Sequence, residues 1–100
     1  MMAAKRTVEV RNVRHPGGRR RVDAEMYGAM RKAYLAVLTR RAPGLTIAEI
    51  QARLPARLPQ SLYPGGAKAG WWSKTVQLDL EARGIVARTA DSPIRLYRVR

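Results

Sequence analysis

The side chains with the most chemistry to offer in this sequence are cations, and they are unevenly placed. Arg19, Arg20 and Arg21 form a triplet directly behind His15-Pro16-Gly17-Gly18, and Arg88, Arg95, Arg98 and Arg100 recur towards the C-terminus. Guanidinium groups grip phosphate oxygens through paired, charge-assisted hydrogen bonds, so both sets are candidate contacts to a polyanion. The 100-residue chain has 20 Lys plus Arg against 7 Asp plus Glu, a formal net charge of +13. Residues 1–22 hold +6 of that and residues 85–100 another +3, whereas residues 71–84 are neutral. Such a field favours nucleic acid through counterion release and electrostatic steering. The alternative for each charge run is an ordinary solvated surface.

Further candidates lie between the two basic ends. Gly65-Gly66-Ala67-Lys68-Ala69-Gly70 precedes a helix start, where backbone amides and the Lys68 ammonium could cradle a phosphate. It lacks the spacing of a nucleotide P-loop. The alternative is that its glycines let the chain turn so that Trp71 and Trp72 can pack. On the helix that follows, Lys74 and Gln77 are suited to guanine and adenine edges respectively.

Catalytic chemistry has little to work with. His15 is the only histidine and cysteine is absent, while Ser61, Ser73 and Ser92 have no base nearby in sequence. Among the acids, Asp23 reads as a helix cap, Glu49 as half of a capping box, and Asp79 and Glu81 as helix-surface residues. No metal, cofactor or acid–base constellation remains, so the sequence reads as a non-enzyme. The lack of cysteine suits a reducing cytoplasm. No apolar run approaches the ~20 residues of a membrane span, and the basic start MMAAKR has no signal-type apolar segment behind it. With 46% hydrophobic residues, the length suits one small domain with a modest core.

The elements that must position these groups follow from periodicity. Thr7–Val13 alternates as a short strand. Asp23 caps a long amphipathic helix carrying Met26, Met30, Ala33, Tyr34, Val37 and Leu38, expected to run through Arg41 to the break at Ala42-Pro43-Gly44. Thr46 and Glu49 form a T-x-x-E capping box with Leu45 and Ile50 as its staple, opening a second helix that stops near Pro55. A Pro- and Gly-rich connection follows, with one helical turn expected around Ala56–Leu58. A third helix from about Trp71 to Arg83 buries Trp72, Val76 and Leu80 and ends at the C-cap glycine Gly84. Two strands, Ile85–Arg88 and Ile94–Val99, then form a hairpin.

Strand, three helices and hairpin is the order of a winged helix-turn-helix with a strand added in front. Leu80-Glu81-Ala82-Arg83-Gly84-Ile85-Val86 resembles the L-E-x-x-G-[IL]-[IV] signature that closes the recognition helix of many bacterial winged-helix regulators. Thr46-Ile47-Ala48-Glu49-Ile50 is similar to their second-helix opening, and PGGAKAGWWSKTVQLDLEARG, Pro64 to Gly84, resembles a block shared by small uncharacterised bacterial proteins. The resemblance, which covers Asp23 to Val99, implies an α+β fold with 23–100 as the winged-helix domain, and the residues before it, 1–22, read as an added strand and basic arm. It implies DNA as partner and transcriptional regulation as role, with the third helix presented to the major groove and arm and wing on the phosphates. Trp71 and Leu78 sit badly with that docking. They read as a second apolar face of the third helix, covered by the amino-terminal strand or by another subunit. The competing reading is therefore a protein-interaction or homodimerisation module.

Overall fold

A computed structural model gives the fold and describes residues 6–100. Residues 1–5, the outermost part of the expected basic arm, lie outside the described residues. The chain is α+β, with three helices, antiparallel strands and a C-terminal hairpin arranged in winged-helix fashion. Its order is β1 (Thr7–Val10), β2 (Arg20–Asp23), α1 (Ala24–Val37), β3 (Leu45–Thr46), α2 (Ile47–Arg53), α3 (Ala69–Ala82), β4 (Val86–Arg88) and β5 (Arg95–Arg98), with 3-10 turns at Pro55–Arg57 and Pro64–Gly66. β1 and β2 pair as a separate hairpin, and the second sheet runs β3-β5-β4. No helix among the described residues is long and apolar enough to cross a membrane.

Local chemistry accounts for most element ends. The Asp23 carboxylate accepts from the Glu25 and Met26 amides at 2.8 and 3.0 Å and starts α1. The capping box closes as expected: the Thr46 amide donates to Glu49 Oε1 at 2.9 Å and the Glu49 amide to Thr46 Oγ1 at 3.1 Å. Leu45 and Ile50 are both buried in the core beside it. At the end of α3, Gly84 takes φ +71°. The Ile85 amide donates to the Leu80 carbonyl at 3.0 Å and the Gly84 amide to the Glu81 carbonyl at 3.1 Å, the paired bonds of a Schellman cap.

α1 is shorter than its periodicity suggests. It ends at Val37 rather than Arg41, because Leu38 turns extended and the Thr39 carbonyl accepts the Arg98 amide at 2.8 Å. The chain then runs alongside β5, close enough that a Cβ on Gly44 would lie 2.0 Å from the Leu96 carbonyl oxygen. Gly44 also has φ +87°, so only glycine fits there. This close passage creates the two-residue strand β3, with Leu45 opposite Leu96.

Trp72, Val76 and Leu80 enter the core as their spacing predicts, alongside Met30, Tyr34, Ile50, Leu54 and Leu96. The larger departure concerns the opposite side of α3. Residues 6–23 are not a free arm: β1 and β2 fold over α3, with Val10 and Val22 buried in the same core. β2 itself runs across the expected 22/23 boundary, so arm and helices form one packed unit.

Asp79 fixes that arrangement, and it is not the helix-surface residue the sequence suggested. Its exposure is 0%. Its carboxylate accepts from the Arg11 backbone amide at 2.8 Å, from the Tyr27 hydroxyl, and from Arg83 Nε at 2.9 and 3.0 Å. Arg83 extends the link, donating from its terminal nitrogen to the Glu9 carbonyl at 2.9 Å. One carboxylate thus ties α3 to α1 and to the hairpin. Burial, and then the bond to Asp79, push the Tyr27 phenol from 10.0 up to about 12.

Removing one partner of a buried charged network costs more than an average contact, since the remaining donors lose their acceptor. Asp79→Ala is expected to lower unfolding stability by about 2–4 kcal/mol, the partly exposed Arg83 keeping the loss below the fully buried range. A urea midpoint unchanged from wild type would refute this role. For Tyr27, the raised value means that its contribution is complete below pH 10 and is lost as pH rises through about 12. An ultraviolet titration of wild type minus Tyr27→Phe should show the missing phenolate appearing near the upper value.

Candidate nucleic-acid interface

Strand alternation decides which hairpin arginines meet the helix. Val8 lies opposite Val22, and Val10 opposite Arg20, so Arg20 shares the side that faces α3. Its guanidinium stacks over the Trp71 ring, 5.1 Å from the centroid. Trp71 in turn meets Trp72 edge to face at 5.0 Å. On the other side of the hairpin, Arg19 pairs with Glu9 at 3.1 Å and Arg21 Nε donates to Thr7 Oγ1 at 2.9 Å. Both contacts are exposed and hold their guanidinium groups only weakly.

The N-terminal end of α3 adjoins this surface. Lys68 occupies the N-cap with a left-handed φ of 68° and gives no side-chain cap. Lys74, one turn beyond Trp71, is exposed and makes no ion pair among the described residues. Trp71 keeps 46% of its surface open. Between hairpin and helix lies a shallow cleft of about 200 Å³ whose lining includes His15, Arg19, Arg20, Thr75 and Leu78.

Other expected site residues are withdrawn from the surface. Gln77 is 3% exposed and donates its amide to Glu81 Oε2 at 3.0 Å, which takes it out of base reading. Leu78 is 8% exposed, with its carbonyl accepting the Val13 amide at 3.3 Å. The amino-terminal segment is its cover, as one of the two sequence alternatives had it, so Leu78 offers no surface to a partner. Glu81 is also inward: its side chain is 5% exposed and takes Arg88 in a bidentate pair at 2.5 and 2.9 Å.

The wing arginines are spent in the same way. Besides Arg88 on Glu81, Arg95 reaches the Gly44 carbonyl at 3.3 Å and Glu49 at 3.4 Å. Arg98 shares the core-facing side of β5 with the buried Leu96 and donates to the Leu35 and Arg100 carbonyls at 3.3 and 3.2 Å. The charge count near the C-terminus therefore overstates what the wing offers a ligand. Sequence reasoning also passed over Arg6, Arg11 and Arg14, all exposed on the hairpin. Their signal was available, because only Glu9 opposes the run of arginines through Arg21.

Arg88→Ala would leave the Glu81 carboxylate with Gln77 as its remaining side-chain partner. It is expected to destabilise the fold by about 1–3 kcal/mol, against under about 0.5 kcal/mol for Arg21→Ala. Equal thermal unfolding of the two variants would contradict this division between structural and free arginines.

No curated protein and no solved structure matches the chain. A family profile matches residues 7–96, from the first residue of β1 into β5, and so takes in hairpin, helices and wing together. The chain belongs to DUF6958, a family of unknown function.

Proposed function

We propose that the protein is a non-enzymatic DNA-binding module that works in the cytoplasm without a cofactor and holds the phosphate backbone with its N-terminal hairpin. The observation that carries this reading is the set of cations on that hairpin. Arg6, Arg11, Arg14, Arg19, Arg20 and Arg21 are all exposed, against two acids, Glu9 and the helix-capping Asp23, a balance of six minus two, or +4. Weakly held, exposed guanidinium groups on a braced scaffold release counterions on meeting phosphate without first giving up strong internal partners.

Lys68 and Lys74 extend the same surface at the start of α3. Arg88, Arg95 and Arg98 are secondary in this reading, because internal acceptors already hold them. Base-specific readout by Gln77 has no place in it. The alternative, a protein-interaction or homodimer surface, retains only Trp71 of its two candidate residues.

Fluorescence anisotropy with random-sequence DNA, duplex and single-stranded, across a salt series tests the proposal. Wild type should bind with affinity that falls steeply as salt rises. The triple variant Arg19→Ala, Arg20→Ala, Arg21→Ala should bind more weakly, with a log–log salt slope shallower by roughly two to three. Equal affinity and slope in both proteins would rule out the hairpin as the phosphate contact.

A further inference from the structure

We infer that Trp71 is a stacking platform for an unpaired nucleobase, so that the preferred ligand of the hairpin surface is single-stranded nucleic acid; this rests on the phosphate-binding reading above. Three observations converge on it. Trp71 is the large aromatic left open, 46% exposed, on a helix otherwise packed from both sides. Trp72 meets its ring edge-on at 5.0 Å from within the core and fixes its attitude, so little side-chain freedom remains to be lost when a base stacks.

The charges around it match a strand of nucleotides. Arg20 lies over the Trp71 ring, 5.1 Å from its centroid, and a base that takes that face moves this exposed guanidinium onto the strand's phosphate; Lys74 is one turn along, and the first turn of α3 contains no acid. Aromatic platforms flanked by cations hold single strands with little regard to sequence, since every base has a π face and every nucleotide a phosphate. The third observation concerns what the surface excludes. Between residues 69 and 80 only Gly70, Trp71 and Lys74 are exposed. A major-groove helix needs a longer open row of side chains, and here the hairpin lies across it, held by the Val13–Leu78 backbone bond and by Asp79. An indole cannot stack on bases that are already paired and stacked in a duplex, but it can take one from a single strand.

The test uses anisotropy with labelled dT and rU dodecamers and a 12-base-pair duplex, on wild type, Trp71→Ala, Trp71→Phe and the arginine triple variant. Wild type should prefer the single strands. Trp71→Ala should bind them about tenfold more weakly with duplex affinity unchanged, and Trp71→Phe should recover most of the loss. Quenching of tryptophan emission by dT should be seen in wild type and lost in Trp71→Phe. If Trp71→Ala binds single strands like wild type while the triple variant fails, the stacking inference is overturned and the phosphate reading stands. No binding by wild type at low salt would overturn both. A change confined to oligomeric state in Trp71→Ala, seen by sedimentation, would make Trp71 a self-association contact instead.

Discussion

A carboxylate placed where no water reaches must have its charge met by the protein, and in this fold that demand organises everything near α3. Asp79 draws its donors from the end of β1, from α1 and from its own helix, and Arg83 carries the connection back to the Glu9 carbonyl. A two-stranded hairpin is marginal in isolation. Here it borrows rigidity from a buried anion and from Val10 and Val22 in the core. The position of the exposed arginines, and the covering of α3, both descend from that anchoring.

The same logic divides the cations into two populations. Arg83 and Arg88 neutralise Asp79 and Glu81, while Arg95 and Arg98 satisfy carbonyls where the wing meets α1 and the loop before β3. Those on the hairpin have Glu9 and the helix-capping Asp23 among them, and their own contacts, to Glu9, Thr7 and the Trp71 ring, are exposed. A formal charge of +13 is therefore a poor guide to where an anionic ligand is attracted. Availability matters as much as number, because a guanidinium already bonded inside the fold must give up that bond before it can serve elsewhere.

Much of the fold could be read from the chain because its signals are local. The capping box at Thr46–Glu49, the Schellman glycine at Gly84 and the Trp72, Val76, Leu80 stripe need only a few neighbouring residues to act. What escaped was set by distant parts of the chain. Asp79 looks like a surface acid until donors 52 and 68 residues away close on it. Leu78 falls on a side of α3 that a one-sided amphipathic helix would leave open and that the amino-terminal hairpin covers, while Gln77 is drawn in through Glu81 beside Arg88 of the wing. The early end of α1 depends on Arg98 reaching Thr39, and the two-residue β3 is too short to leave a pattern. For the candidate site, Arg19, Arg20, Arg21 and Trp71 were legible as types, whereas the stacking of Arg20 on Trp71 needed the strand register.

Because the hairpin lies over α3, most of the helix expected to meet a ligand is here part of the interior. Substitutions along Val76–Leu80 would be filtered by packing and by the demands of Asp79 long before any ligand sensed them. The freedom to diverge moves to the hairpin's own connection, residues 11–19, where all but Asn12 are exposed and the tight Gly17 turn has open space around it. Sequence change in this chain is therefore tolerated more readily in that connection than in the helix beneath it.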